Sequence, residues 1–266
     1  MYFDFPYFCV SFENYKFIYQ MIKIIKHIII LMSAFFAVNN TTIMAGNSFP
    51  YKVDKFADVE ILRYEVVGFD NLSLSQKEYI YYLSQAAAEG RDILFDQNYK
   101  YNLLIRKTLE AVYINYKGDR NSVAFKQFEA YLKRIWFSNG IHHHYSMVKF
   151  IPEFSADYFS KLIHSVDASF LPLSEGEKTE NLVSFLTPII FDPKIDAVRV
   201  NLKAGEDVIK TSANNYYEGV TQQEVEDFYA KSKDLNDPRP ISFGLNSKLE
   251  KQNGQLIEKT WKVGGM

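Results

Sequence analysis

Apolar residues recur at helical spacing through most of the chain and alternate only near its end. Val123, Phe125, Phe128, Tyr131, Leu132, Ile135 and Trp136 make one wide apolar face, with Lys126, Glu129 and Lys133 opposite. That pattern predicts a helix over 122–137 that stops at Asn139-Gly140. Ser73-Leu-Ser-Gln76 has the form of a capping box, and Ile80, Leu83 and Ala87 follow at helical spacing, which predicts a helix over 74–89. Leu104, Thr108, Ala111 and Ile114 predict another over 101–116, with Gly118 in the turn behind it. Ser155 can cap a short helix through His164, and Thr221-Gln-Gln-Glu224 opens one through Val225, Phe228 and Tyr229. Gly, Ser and Pro residues around 172–188 read as connecting loops.

After Pro238 and Pro240 the period changes to two. Ile241, Phe243 and Leu245 alternate, and Asn253-Gly254 is a hairpin turn leading into a strand over 256–263. Helices followed by antiparallel strands, without βαβ alternation, place the chain in the α+β class. Only Gly264-Gly265-Met266 follows the last strand, from which a longer natural chain is expected.

The 266 residues are 47% hydrophobic and 16% aromatic, ample for a core. Thirty basic against thirty-two acidic residues give a formal charge of -2 with the signs interspersed, so nucleic acid has no electrostatic footprint here. The N-terminal pattern is that of an export signal. Lys23 and Lys26 precede the apolar run from Ile28 to Val38, and Ala45 is a small residue suited to cleavage. The run is shorter than the about 20 residues that a membrane span needs. The expected organisation is therefore an extension of uncertain role over 1–20, a signal peptide over 21–45 and a mature portion over 46–266. Met21 is the expected start, and an ordered strand over 1–20 is the alternative. Such a protein is periplasmic or secreted and keeps no stable membrane insertion after cleavage; a short uncleaved anchor is the competing reading. The single cysteine, Cys9, precedes the mature portion, so no internal disulfide forms there.

Candidate chemistry concentrates at Asn139, Gly140, His142, His143, His144 and Tyr145. Three adjacent histidines are not a metal site by themselves, because successive side chains diverge while zinc needs convergent ligands. A ligand-facing loop, a loop contributing one or two ligands to distant ones, and ordinary loop packing all remain open. Glu224 and Glu226, two apart on a helix, do not share a face. His-Glu-x-x-His, Cys-x-x-Cys, Gly-x-Ser-x-Gly and a Gly-rich phosphate loop are all missing, which argues against self-contained catalysis.

Gly90-Arg-Asp-Ile-Leu-Phe-Asp-Gln-Asn98, Phe137-Ser-Asn-Gly140, Lys149-Phe-Ile-Pro-Glu-Phe154 and Asn215-Tyr-Tyr-Glu-Gly219, in that order, resemble the N-terminal portion of the dipeptidyl peptidase III family of zinc exopeptidases. The histidine-rich version of the turn is closest to Bacteroides-type bacterial members, and the likeness spans about 54–263. It implies part of the lower, barrel-containing lobe of a two-lobed enzyme that releases dipeptides from the amino end of oligopeptides. In that family zinc is held by His-Glu-x-x-Gly-His and a later glutamate, none of which occurs here, so this chain alone is expected to bind no zinc and to be inactive. The implied partners are an oligopeptide and the missing C-terminal zinc-bearing lobe, with the 139–145 turn bordering the peptide cleft. A stand-alone exported peptide-binding or interaction module without catalysis is the alternative.

Overall fold

A computed structural model describes residues 49–234, 236–239 and 242–264. The expected signal segment, the extension ahead of it, Cys9 and Ile241 lie outside the described residues. The chain divides into two compact units, Met1–Glu78 and Tyr79–Met266.

In the first unit, β1 (Lys52–Phe56) and β2 (Val59–Leu62) form an antiparallel hairpin with an irregularity between Lys52 and Asp54. Ala57, at φ 48, turns the chain between them, and a Lys52–Glu60 ion pair of 2.7 Å lies across the strands. This hairpin precedes the helices, which corrects the expected order of helices first and strands later. The capping box of Ser73 is present: Gln76 N donates to Ser73 Oγ at 3.3 Å and Ser73 N to Gln76 Oε1 at 2.9 Å. It opens α1 (Leu74–Glu89), which begins in the first unit and continues into the second; its bounds match the spacing of its apolar residues and it buries none of them.

The second unit is built on α2 (Arg91–Asn98), α3 (Asn102–Asn115), α4 (Val123–Ser138), α5 (Ala156–His164) and α6 (Thr179–Phe191). One apolar core joins them. Ile105, Leu109 and Val112 of α3 meet Phe128, Leu132 and Ile135 of α4, with Phe159 and Leu162 of α5 and Leu186 and Ile190 of α6 in the same cluster. The apolar stripe of α4 is thus the face that its sequence period marks, and Ser122 caps it by accepting from Phe125 N. Ser155 does the same for α5 through Tyr158 N.

Helix α6 corrects the reading of 172–188 as loops. Leu182, Leu186, Ile189 and Ile190 make a buried stripe, and it carries the helix past Pro188. Proline removes one backbone donor. Pro188 and Ser184, whose carbonyl loses that donor, both lie on the exposed side, where water can replace the bond.

Beyond a single turn, α7 (Val208–Thr211), come β3 (Tyr217–Glu218), α8 (Gln222–Ala230), β4 (Ser247–Gln252) and β5 (Gln255–Thr260). The sheet order is β3-β4-β5, with β3 parallel to β4 and β4 antiparallel to β5. Thr221 and Glu224 form the expected capping box of α8. Asn253 and Gly254, at φ 49 and 82, make the tight turn that joins β4 to β5. Of the expected alternation, the described positions Phe243 and Leu245 are not in a strand. Phe243 and Leu245 are exposed, and β4 starts only at Ser247.

Leu132 has no exposure, so Leu132→Ala is expected to lower stability by about 2–5 kcal/mol through lost burial and a cavity. Val123→Ala, at an exposed helix start, is expected to change it by less than about 0.5 kcal/mol. Urea midpoints at unchanged slope measure both; equal shifts would contradict the placement of the core.

Candidate functional site

The site starts from one buried amide. Asn102, the first residue of α3, has no solvent exposure. Its Nδ2 donates to the Phe95 carbonyl of α2 at 3.0 Å, and its Oδ1 accepts from Ile141 N at 3.1 Å. Two consecutive helices and a segment 39 residues further along are therefore held on one side chain. Asn139 ends α4 in the left-handed region at φ 51, its N–H bonded to the Ile135 carbonyl. Gly140 follows at φ 145, and a Cβ there would overlap the Asn102 amide. Glycine is required at that position by both conformation and space. Asn98 adds a second amide, donating from Nδ2 to the Asn139 carbonyl at 3.0 Å.

Beyond Gly140 the chain folds back on itself. His143 N donates to the Val148 carbonyl and Phe150 N to the Ile141 carbonyl, each at 2.8 Å. The histidines of this loop are mostly inside: His142 is 1% exposed, His143 is buried and His144 half-buried, while Tyr145 is 60% exposed. The cause is packing between rings. His143 stacks on His144 with centroids 4.4 Å apart, Phe137 meets His144 edge-on at 4.9 Å, and Phe150 meets His143 at 5.7 Å. Tyr145 packs on His144 at 4.4 Å and forms the open rim.

Each imidazole is oriented by a different group. His142 Nε2 donates to the Asp196 carbonyl at 2.7 Å, which leaves its buried Nδ1 as an acceptor with no partner. His143 Nδ1 accepts from the N–H groups of Tyr145 and Ser146, both at 3.1 Å. His144 Nδ1 lies 3.3 Å from Ser138 Oγ. Burial pushes His142 down to about 4, against a bond to the Asp196 carbonyl that works the other way. The three rings point to separate partners and so do not converge as zinc ligands must. Among the described residues no three His, Cys, Asp or Glu side chains are grouped as metal ligands.

The sequence gives no sign of the contacts that Lys149, Tyr99 and Arg199 make in this region. Lys149 is buried and donates its amine to the carbonyls of Ile189 (3.0 Å), Asp192 and Ile195, so it caps α6 from across the core. Burial lowers its pKa, and Asp196 and Asp192 oppose that shift. Tyr99 donates to Asp196 Oδ2 at 2.5 Å, with burial first and this bond second in raising its pKa. Arg199 reaches Asn98 Oδ1 at 2.9 Å. These contacts depend on positions about 40 to 100 residues apart, and no local motif encodes them. Asn139, Met147 and Asp196 are three of the five described non-glycine residues at positive φ. Such strain persists only where surrounding contacts over-determine it, and it gathers at functional sites.

Comparison with protein-family models gives no match to this chain, and neither does comparison with curated proteins.

His142 gives the site a definite pH response. The unfolded imidazole takes its proton near pH 6.5, the folded one only near pH 4. Between those values the unfolded state binds more protons, so stability is full above 6.5 and falls as pH drops through the window, by about 3 kcal/mol at most. The His142 ring resonances are expected to stay flat from pH 8 to 5.5. A midpoint near 6.5 would contradict the burial.

Proposed function

We propose that this chain is the N-terminal, peptide-facing portion of an exported dipeptidyl peptidase of the dipeptidyl peptidase III kind. It contributes to the lower, barrel-containing lobe of a two-lobed enzyme, and hydrolysis belongs to a separate zinc-bearing lobe. The observation that supports this reading is that three of the four segments that carry the resemblance are bonded to one another, while the fourth, 149–154, packs on the α4 helix that leads into the second. Asn98 bonds Asn139, and Asn215 donates from its backbone to the Gln97 carbonyl at 2.9 Å and from Nδ2 to Asp96 Oδ1 at 3.2 Å, across 119 residues. Phe154 packs on Phe128 and Tyr131, and Lys149 anchors the start of the same segment. Short motifs that look unrelated along the chain are thus parts of one hydrogen-bonded body, which is what a shared structural role requires.

In this reading the chain's own residues bind and orient. Tyr145 offers an exposed ring and hydroxyl at the edge of a rigid aromatic stack, the arrangement that binding surfaces commonly use. His143 and His144 support that rim and do not hold metal. Among the described residues the sheet β3-β4-β5 ends at β3 and β5, and in this reading further strands would continue it. Export, to the periplasm or the medium, rests on the signal pattern of 21–45.

The test is to produce the chain together with a companion polypeptide bearing His-Glu-x-x-Gly-His and to assay the purified pair. Release of dipeptides from the amino end of oligopeptides is expected. Tyr145→Ala should then raise KM roughly tenfold, about 1.4 kcal/mol, with zinc content unchanged. Zinc lost from that variant would return the histidine segment to the ligand set. A pair that binds oligopeptides and never cleaves them would favour a stand-alone binding module.

A further inference from the structure

We infer that Arg199 anchors an oxyanion-binding subsite, taking a carboxylate or phosphate group through its guanidinium fork. The backbone of Arg199 is fixed on both sides: its N–H donates to the Met147 carbonyl at 2.8 Å, and its carbonyl accepts from Asn214 N at 3.0 Å. Val148 bridges Val198 next to it. The side chain is half-buried, and its hydrogen-bond partners among the described residues are all neutral. Nη1 donates to Asn98 Oδ1 at 2.9 Å, Nη2 to the His144 carbonyl at 3.4 Å, and Nε and Nη2 to the Met147 thioether at 3.1 and 2.8 Å. A thioether is a weak acceptor. Arg106, equally sheltered, has Asp92 at 2.7 Å, whereas no carboxylate among the described residues is paired with Arg199.

A guanidinium withdrawn from water without a counter-charge is costly, and sheltered charges are ordinarily paired. Asp96 accepts from the Asn215 amide and Asp196 from the Tyr99 hydroxyl, and neither carboxylate is bonded to Arg199. Burial pushes the guanidinium below its usual range, and the one charge effect opposing this comes from Tyr216. Met147 holds a left-handed backbone at φ 62, unusual for an unbranched apolar residue, and that turn presents its sulfur to the fork. A fixed, half-open fork with one weak acceptor in place of an anion is preorganised for bidentate oxyanion binding. Tyr145 lies one residue from the His144 carbonyl that Arg199 touches, so the subsite borders the exposed rim. Taking the source as a peptide carboxylate rests on the peptide reading above; the oxyanion chemistry does not.

The test titrates the full chain at low ionic strength with N-acetyl-dialanine, its C-terminal amide and inorganic phosphate, in wild type, Arg199→Gln and Met147→Glu. The acid is expected to bind at least tenfold more tightly than the amide, with that margin lost in both variants. Met147→Glu should also melt at higher temperature, because its carboxylate fills the fork. Phosphate binding that needs Arg199, with no binding of the acid, would support the oxyanion subsite, assign it to free phosphate and remove the peptide source. Acid and amide binding alike, with Arg199→Gln unaffected, would overturn the inference and leave peptide binding intact. Binding of none of the three probes would also overturn it. Should Arg199→Gln fail to fold, undiminished acid binding by folded Met147→Glu overturns it as well.

Discussion

The buried amide of Asn102 is the constraint on which the rest of the site depends. A side chain with no access to water must find its hydrogen bonds inside, or leave polar atoms unsatisfied at about 1–3 kcal/mol each. Asn102 finds them at the end of α2 and at the chain leaving α4. That choice fixes where the 139–150 segment begins, forces glycine at 140, and so decides which residues face the core and which face solvent. The helices supply the free energy through apolar burial; the amide supplies the register.

The consequence for function is a division of labour among neighbours that look equivalent in sequence. His142 turns inward to the Asp196 carbonyl and stays neutral at ordinary pH, His143 caps its own turn, and His144 links Ser138 to the rim. Tyr145 alone of the four stands open. Asp196 and Met147 hold left-handed backbone beside them, and each carries a contact that the regular alternatives would misplace. In the peptide-binding reading proposed above, a surface braced in this way would retain more of the interaction energy in binding.

How far the sequence reveals this differs by element, for physical reasons. Helices α1, α4, α5 and α8 announce themselves, because their caps and periods are local; in α4, α5 and α8 buried residues lie on the faces those periods mark, whereas α1 buries none of its own. Helix α6 is hidden by Pro188, whose missing donor costs little only because it faces water. The β1-β2 hairpin turns at Ala57 and Asp58, without the glycine or asparagine that ordinarily marks such a turn. The candidate residues at 139–145 could be singled out from composition, but not their burial. Lys149, Asp196 and Arg199 act through main-chain carbonyls and a thioether contributed by distant segments, which no spacing along the chain records.

Amide hydrogen exchange across 139–150 tests the central claim, that one buried side chain holds this segment as a fixed surface. In the wild-type chain Ile141, His143 and Phe150 are expected to exchange as slowly as Leu132 in the core of α4, by global unfolding. In Asn102→Ala those three amides should exchange at least a hundredfold faster than Leu132. Fast exchange of the three in wild type, or slow exchange in Asn102→Ala, would contradict it.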